Sequence, residues 1–583
     1  MNAQKADVRK LQKIWLSIFA MFLLSSQVSA QSQTIASDLA IARPVTSRHA
    51  MVVSQEAAAS RVGIDILKKG GNAVDAAVAI GFSLAVTLPR AGNLGGGGFM
   101  LIHLSESKTT TCVDYRETAP ALTTKDMFLN EKRQPDRMKS LFSGLSIGVP
   151  GTVAGLELAW RKYGSGRFTF AELIAPAAAL ARQGLMVDDD LADSLPFAAA
   201  ALARHPSSAK IYLRPDKTAP RPGDHLALND LVATLETIAS RGAAGFYTGP
   251  VAEKIVAAVQ EAGGRMTLED LAGYHAVERA PVRGNYRGHG IVSMPPPSSG
   301  GVHIIEIANI LEGFPLGAQG FNSAATIHAM AEAEKLAFAD RSLYLGDPDF
   351  VQIPVSSLIS KIYADDLRKK IVSDHARPAI EVSPGRPERY ESDQTTHFSI
   401  VDENGNAVAN TYTLNLPYGS GLVAEGTGVL LNVELDDFSA KPGAPNNYGL
   451  LGGDANAPAP AKRPLSSMSP TMVFKDGMLE LVTGGAGGSR IISIVLQIIL
   501  DTVDHGLNVA EAAQAPRVHH QWQPDELRIE RGVSPDTIRI LEAFGHRVVV
   551  REAIGSAYTI ARKDGLLTGA ADPRHRGALA EGY

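Results

Sequence analysis

Residues 394–400 read Gln-Thr-Thr-His-Phe-Ser-Ile and join a polar, turn-prone run to a strand-like segment. Cleavage of the bond between Gln394 and Thr395 would make Thr395 a chain terminus, with its hydroxyl as a nucleophile and its own α-amine as the base. An α-amine has a reference pKa of about 7.7–8.0, which suits proton transfer near neutral pH. The alternative is a threonine that merely begins a strand, because β-branched residues fit a pleated sheet. The rest of the sequence is needed to distinguish a catalytic from a structural Thr395.

The composition is that of an ordinary globular protein. The chain has 583 residues, of which 45% are hydrophobic and 20% charged, so it can bury a large core. Its formal net charge of −5 argues against a nucleic-acid-binding protein, which would carry a basic face. The single cysteine, Cys112, excludes an intrachain disulfide, and we expect it to be a small buried hydrophobe.

The first thirty residues have the pattern of a signal peptide. A basic start between Lys5 and Lys13 precedes a short apolar core at 14–24 and a small-residue cleavage site at 28–30. A membrane anchor is the alternative, but it would need about 20 apolar residues. The pattern predicts a signal peptide at 1–30 and export to the periplasm or beyond, with no stable membrane span later in the chain.

Hydrophobic periodicity and helix caps predict the secondary structure. Helices are expected at 56–69, ended by Gly70 and Gly71, and at 73–88, capped by Asn72. Further helices are expected at 170–183, 227–238, 251–262, 323–339, 491–503 and 509–514, and strands at 99–102, 397–401, 408–414, 471–474 and 480–483. The pattern becomes strand-rich after Thr395, and sheets with helices on their outer faces suit this mixture.

Four unusual clusters follow the junction. They are a polar strand end at 411–415, three acids within 432–438, a hydroxyl-rich turn at 463–470 and a glycine loop before a helix at 483–490. Each has a plain structural explanation as a turn or a solvated loop. The glycine loop is not a phosphate-binding P-loop, since no Gly-Lys-Ser/Thr follows it, but its N–H groups could bind another anion. Their coincidence with Thr395 favours an active site.

Taken together, these stretches resemble γ-glutamyltranspeptidases of the N-terminal nucleophile hydrolase superfamily over nearly all of residues 45–583. The most specific matches are the Thr-Thr-His motif at 395–397 and the Arg-Pro-Leu-Ser-Ser-Met-Ser-Pro motif at 463–470. The resemblance also rests on the motifs at 70–77, 93–100, 114–120, 436–439 and 487–490. It implies an α+β fold, the four-layer αββα sandwich, with a large subunit at 31–394 and a small subunit at 395–583 that interleave in one core and form a heterodimer.

The resemblance also implies residue roles. Thr395 is the nucleophile, first in cleavage after Gln394 and then towards a γ-glutamyl carbonyl, and Thr413 is the hydroxyl that orients it. Gly487 and Gly488 form the oxyanion hole. Arg116 binds the substrate α-carboxylate in a fork that lysine cannot reproduce. The remaining substrate-binding residues are Ser466 and Ser467, beside that carboxylate, Asn415, Glu434 and Asp437, around the α-ammonium group, and Tyr448 on a lid at 442–453.

The implied activity is transfer of a γ-glutamyl group from glutathione or similar amides to water or to an amino-acid or peptide acceptor, without a cofactor or a metal. Arg341, His397, His519 and His520 are interpreted as structural residues. A glutaryl (cephalosporin) acylase of the same superfamily is the nearest alternative, although it would lack ammonium recognition. An inactive binding protein should have lost Thr395 or the glycines, and a serine hydrolase should have a G-x-S-x-G element directly before a helix.

Overall fold

Two antiparallel β-sheets lie face to face at the centre of the fold. The computed structural model describes residues 42–382 and 395–583, and residues Arg43–Tyr583 belong to one structural unit. The predicted signal peptide and Gln394 lie outside the described residues. No helix in the described ranges is both long and apolar enough to cross a membrane.

The first sheet has seven strands and contains the strand that follows Thr395. It takes strands from both sides of the 383–394 gap, and the strand after Thr395 lies between one strand from each side. Across the sheet, the order is Leu579–Gly582, Met51–Ser54, Thr396–Val401, Ala407–Thr413, Gly97–Leu104, Thr109–Tyr115 and Val277–Arg279.

The second sheet has eight strands and also takes them from both sides of the gap. Across the sheet, the order is Val45–Ser47, Leu566–Ala571, Ser556–Lys563, Met478–Thr483, Thr471–Lys475, His289–Ser293 and Val282–Tyr286, with the short strand Gly485–Ala486 beside Ser556–Lys563. Alternation along the strands of the first sheet directs Met51, Phe99 and Leu101 towards the second sheet, whereas Met100 and Ile102 face outward.

Helices cover the outer face of each sheet. Those packed on the first sheet and around it are Ala57–Lys68, Ala73–Thr87, Thr152–Tyr163, Phe170–Gln183, Asp189–Leu202, Pro206–Tyr212, Asn229–Arg241, Ala244–Tyr247, Pro250–Glu261 and Leu268–Ala272. Those of the second layer are Gly300–Leu311, Leu316–Gln319, Ala324–Tyr344, Val355–Leu358, Lys361–Arg368, Ile491–Val503, Val509–Gln514 and Pro535–Ala543. The predicted αββα architecture is therefore present.

Smaller elements complete the fold. A three-stranded sheet joins Val518–His519, Leu527–Glu530 and Val548–Arg551, and strand pairs join Leu185–Met186 to His225–Leu226 and Val423–Ala424 to Val429–Leu430. A short helix lies at Arg137–Phe142, and 3₁₀ turns lie at Gly144–Ser146, Ala379–Glu381, Glu434–Asp437, Asp454–Asn456 and Gly488–Arg490. Two of these turns, Glu434–Asp437 and Gly488–Arg490, line the candidate site.

Candidate active site

Thr395 lies directly before the central strand Thr396–Val401 and is 4% exposed. Thr396 pairs with Tyr412 in the neighbouring antiparallel strand, so the same register places Thr395 opposite Thr413. The hydroxyl of Thr413 also accepts the N–H of Asn415 at 2.9 Å. Two buried threonines thus lie side by side at one end of the sheet, as the predicted roles of nucleophile and orienting hydroxyl require.

The side chain of His397, on this strand, lies within hydrogen-bonding distance of two hydroxyl groups. Its Nδ1 lies 2.8 Å from the Thr411 hydroxyl and its Nε2 lies 3.0 Å from the Ser399 hydroxyl, both within the sheet. Burial lowers the pKa of His397 to about 3, so the ring is neutral near neutral pH. This environment agrees with the structural role assigned from the sequence.

Arg116 directly follows the strand Thr109–Tyr115 and is fully buried. Its Nη1 donates to Glu434, and its Nη2 donates to Asp437 Oδ2 at 2.6 Å. Its Nε donates to the carbonyl of Pro464 at 3.1 Å, which fixes the plane of the guanidinium. The arginine and the two acids come from opposite sides of the 383–394 gap and form one charged cluster.

Burial dominates the electrostatics of this cluster. It raises the pKa of Glu434 to about 8 and raises the pKa of Asp437, while the positive charge of Arg116 opposes both shifts. Glu117, whose Oε2 is 3.7 Å from Arg116 Nη1, is fully buried, and burial raises its pKa well above the usual range. Glu117 was not singled out from the sequence, because an acid beside an arginine is a common surface pattern.

The glycine loop reaches the cleft through Gly488. Gly487 and Gly488 have φ angles of +151° and +58°, and the helix Ile491–Val503 begins just after them. A Cβ on Gly488 would lie 2.4 Å from Cε1 of Tyr448, so only glycine allows the ring to lie this close. Gly488 lines the cleft, whereas Gly487 lies next to it without being part of the lining.

The hydroxyl-rich turn meets a second arginine. Arg341 Nη2 donates to the Ser467 hydroxyl at 3.2 Å, and Arg341 Nε donates to the Ser299 hydroxyl at 2.9 Å. Ser299 in turn donates to the carbonyl of Ser466 at 2.8 Å. Arg341 lines the cleft, so its assignment to a purely structural role was incomplete. Sequence reasoning assigned Arg341 no role in the site, because it lies within the long helix Ala324–Tyr344, which carries no local active-site motif.

Tyr448, on the predicted lid at 442–453, lies over the cleft. The Tyr448 hydroxyl donates to the carbonyl of Asn415, and Gln521 Nε2 donates to the carbonyl of Tyr448 at 3.0 Å. Tyr448 is 6% exposed. A narrow cleft lies beneath it. The predicted site residues that line this cleft are Arg116, Thr395, Thr413, Asn415, Glu434, Asp437, Tyr448, Ser466, Ser467 and Gly488.

Among the described residues, one group of side chains that could ligate a metal ion lies outside the cleft. It consists of His328, Glu332 and His546, all buried. His328 Nδ1 lies 2.8 Å from His546 Nε2, and Glu332 accepts from the ammonium of Lys335 at 2.7 Å. These contacts account for the group as a hydrogen-bonded ion-pair cluster, in which the lysine already supplies the positive charge.

A threonine before a central strand of an αββα sandwich, with hydroxyl, glycine and charged groups around it, defines an N-terminal nucleophile hydrolase. The profile of the family described as Gamma-glutamyltranspeptidase matches residues 59–582. The chain belongs to the γ-glutamyltranspeptidase family.

Individual relatives agree with this assignment. The "Glutathione hydrolase proenzyme" of Escherichia coli (strain K12) is 55% identical over 542 residues, covering 93% of each chain. The crystal structure of a cephalosporin acylase from Bacillus halodurans has a TM-score of 0.82 at 27% identity, covering 96% of this chain and 99% of that chain. A Helicobacter pylori γ-glutamyltranspeptidase structure has a TM-score of 0.55 at 44% identity, covering 57% of this chain and 95% of that chain. The predicted family, fold class and enzyme class are confirmed.

Proposed function

We propose that the chain is a proenzyme that cleaves itself between Gln394 and Thr395 and then transfers γ-glutamyl groups, from glutathione or similar amides, to water or to an amino-acid or peptide acceptor. The observation that carries the proposal is the single cleft that joins Thr395 to Arg116, Glu434 and Asp437. A γ-glutamyl group needs a nucleophile at its carbonyl, a cation at its α-carboxylate and an anion at its α-ammonium group. The cleft contains all three.

The charged cluster explains how such a substrate would be accommodated. Arg116 here is paired with Glu434 and Asp437. A zwitterionic substrate exchanges these pairs for two others, its carboxylate with Arg116 and its ammonium group with the acids. Arg116 and the acids thereby keep a charged or hydrogen-bonding partner in the buried site, which offsets the cost of taking the substrate charges out of water.

The proposed chemistry uses Thr395 twice. In maturation, its Oγ attacks the Gln394 carbonyl carbon, the peptide nitrogen leaves as the new α-amine, and water hydrolyses the resulting ester. In catalysis, Oγ attacks the γ-carbonyl and its proton passes to the α-amine, then to the leaving amine as the C–N bond breaks. N–H groups of Gly487 and Gly488 would stabilise the oxyanion. Water or an acceptor amine then releases the γ-glutamyl group from Thr395.

The same proposal covers the chain before and after cleavage. Residues 31–394 and 395–583 would form the large and small subunits of a heterodimer, and residues 1–30 would direct export to the periplasm or beyond. The interleaved strands of the two sheets support the heterodimer, because separating the segments would open both sheets. Gel electrophoresis of the purified protein, with sequencing of both N-termini, tests both boundaries.

The second candidate function is a glutaryl acylase. It is favoured by the similarity to the cephalosporin acylase structure, which extends over 96% of this chain. A glutaryl group lacks the α-ammonium group, so an acylase would not need a buried acid pair there. Glu434, Asp437 and the lid residue Tyr448 in one cleft favour the γ-glutamyl substrate instead.

Asp437→Asn tests the choice between the two substrates. A buried charge that loses its partner costs about 3–5 kcal/mol, which corresponds to about two to three and a half decades in kcat/KM. We expect the variant to lose this much on a γ-glutamyl anilide and little on the glutaryl anilide, with cleavage at Thr395 unchanged. A wild-type preference for the glutaryl anilide, or an unchanged preference in the variant, would support the acylase.

A further inference from the structure

The lid is organised around the side chain of Asn446. Its Oδ1 accepts the backbone N–H of Tyr448 at 2.9 Å and that of Leu450 at 3.2 Å. Its backbone N–H donates to the carbonyl of Leu450 at 3.1 Å, which closes the turn. Asparagine side chains stabilise turns in this way, by accepting from backbone groups just ahead in the chain. The amide oxygen thus holds the turn that places Tyr448 over the cleft.

The nitrogen of the same amide contacts the substrate-binding cluster. Asn446 Nδ2 donates to Asp437 Oδ1 at 3.1 Å, while Asp437 Oδ2 accepts from Arg116. The partners determine the orientation of the amide, because two backbone N–H groups require its oxygen and a carboxylate requires its nitrogen. One side chain therefore joins the lid turn to the acid proposed to bind the substrate α-ammonium group.

We infer that Asn446 is a positioning residue that holds the Asp437 carboxylate for the α-ammonium group and couples recognition of that group to lid closure. The inference rests on the proposed function. With the lid closed, both oxygens of Asp437 have a partner and the carboxylate has one orientation. With the lid open, only Arg116 orients it. Linkage is reciprocal, so an ammonium group that binds the oriented carboxylate also favours the closed lid.

The next lid residue provides a matched control. Asn447 Oδ1 accepts from Arg137 Nη2 at 2.7 Å, and its N–H donates to Asp436 Oδ2 at 3.1 Å. Its bonds therefore anchor the lid to the helix Arg137–Phe142 and to Asp436. Asn447→Ala removes the side-chain contact with Arg137 and leaves the contact between Asn446 and Asp437 in place.

The first experiment compares Asn446→Ala and Asn447→Ala on γ-glutamyl and glutaryl anilides. A hydrogen bond to a charged group contributes enough for about a tenfold change in binding. We expect Asn446→Ala to lower the γ-glutamyl over glutaryl preference in kcat/KM about tenfold, mainly through a higher KM for the γ-glutamyl anilide. We expect Asn447→Ala to change both substrates alike and to leave the preference within about twofold.

A second variant separates the turn from the contact with Asp437. Asn446→Asp keeps the oxygen acceptors for Tyr448 and Leu450 but replaces the amide donor by a carboxyl group. This group can share a proton with Asp437 at low pH and repels it at high pH. We expect lid amide hydrogens to exchange as slowly as in the wild type, while the γ-glutamyl preference falls between pH 5 and 8 more steeply than in the wild type.

The outcomes separate the inference from the proposed function. If wild type prefers the γ-glutamyl anilide and Asp437→Asn lowers that preference, the proposed function stands. In that case, an unchanged preference in both Asn446 variants would overturn the positioning role. An equal loss of preference in Asn446→Ala and Asn447→Ala would also overturn it, because a loosened lid alone would then explain the effect.

Discussion

Arg116 is the residue whose proposed role depends most on both the planar shape and the charge of its side chain. Its guanidinium donates through Nε, Nη1 and Nη2 to three different acceptors from a fully buried position. Lysine keeps the charge but cannot form a planar two-bond fork with a carboxylate. We expect Arg116→Lys to raise KM for γ-glutamyl anilides at least about tenfold with self-cleavage intact, as measured by steady-state kinetics and a denaturing gel. An unaltered KM would remove Arg116 from the binding site.

Thr395 is the residue on which maturation depends. Its hydroxyl supplies the attacking oxygen in both proposed reactions. We expect Thr395→Ala to yield one uncleaved chain without γ-glutamyl activity. Cys112→Ala is the control. Cys112 is buried in the core, and burial raises the pKa of its thiol, so that variant should cleave normally and remain active. Two subunits from Thr395→Ala would refute the proposal.

At the scale of elements, the glycine turn and the lid depend on each other. Gly488 (φ +58°) and Gly443 (φ +74°) both have left-handed backbones, but a Cβ at Gly443 would meet nothing within 4 Å. We expect Gly488→Ala to displace Tyr448 and the oxyanion N–H groups and to lower kcat by about 10²-fold, the typical cost of one oxyanion donor. Gly443→Ala should change kcat less than about threefold. Equal effects in the two variants would attribute the loss to backbone strain alone.

The helices and strands also show which parts of the fold could be predicted from the sequence. The helix Phe170–Gln183 was predicted with both ends correct, because Thr169 and Glu172 form a capping box and Gly184 follows at φ +74°. The helix Gly300–Leu311 was missed, because it is buried on all sides and, unlike Ala73–Thr87, has no side-chain N-cap to mark its start. The expected change to a strand-rich pattern after Thr395 agrees with the structure, since most of the described helices precede Thr395, although the strands Gly97–Leu104 and Thr109–Tyr115 precede it too.

The residues of the candidate site also fall into two groups: those in local sequence motifs and those placed at the site by tertiary contacts. Thr395, Arg116 and Asp437 belong to local motifs with chemical meaning, and the structure brings them into one cleft. Arg341 and the bridging role of Asn446 depend on tertiary contacts with Ser467 and Asp437. Local periodicity and spacing do not encode such contacts, so the place of these two residues beside the site is visible only in the folded chain.

At the scale of the whole molecule, buried acids in the outer helical layer set a pH dependence of stability. Glu306 on the helix Gly300–Leu311 is fully buried, with Oε2 2.8 Å from Nδ1 of His303. Burial raises the pKa of Glu306 to about 8. Burial, and then the charge of Glu306, raises the pKa of Asp340 to about 7, although Tyr363 donates to it at 2.6 Å. Both acids are therefore protonated in the folded protein at pH 5.

The sign of the effect follows from these raised values. In the unfolded chain both acids ionise near pH 4, so between about pH 4 and 8 the folded state binds more protons. The stability from these groups is complete below pH 4 and is lost as the pH rises to about 8, by at most about 1.4 kcal/mol per pH unit and group. We therefore expect the free energy of unfolding in urea to change more favourably from pH 5 to pH 8 in Glu306→Gln than in the wild type, because the variant lacks the Glu306 contribution to that slope. Glu425→Gln, at an exposed position, is the control and should leave the slope unchanged. Equal slopes in wild type and Glu306→Gln would show that Glu306 is already ionised in the core, with its charge balanced by its neighbours.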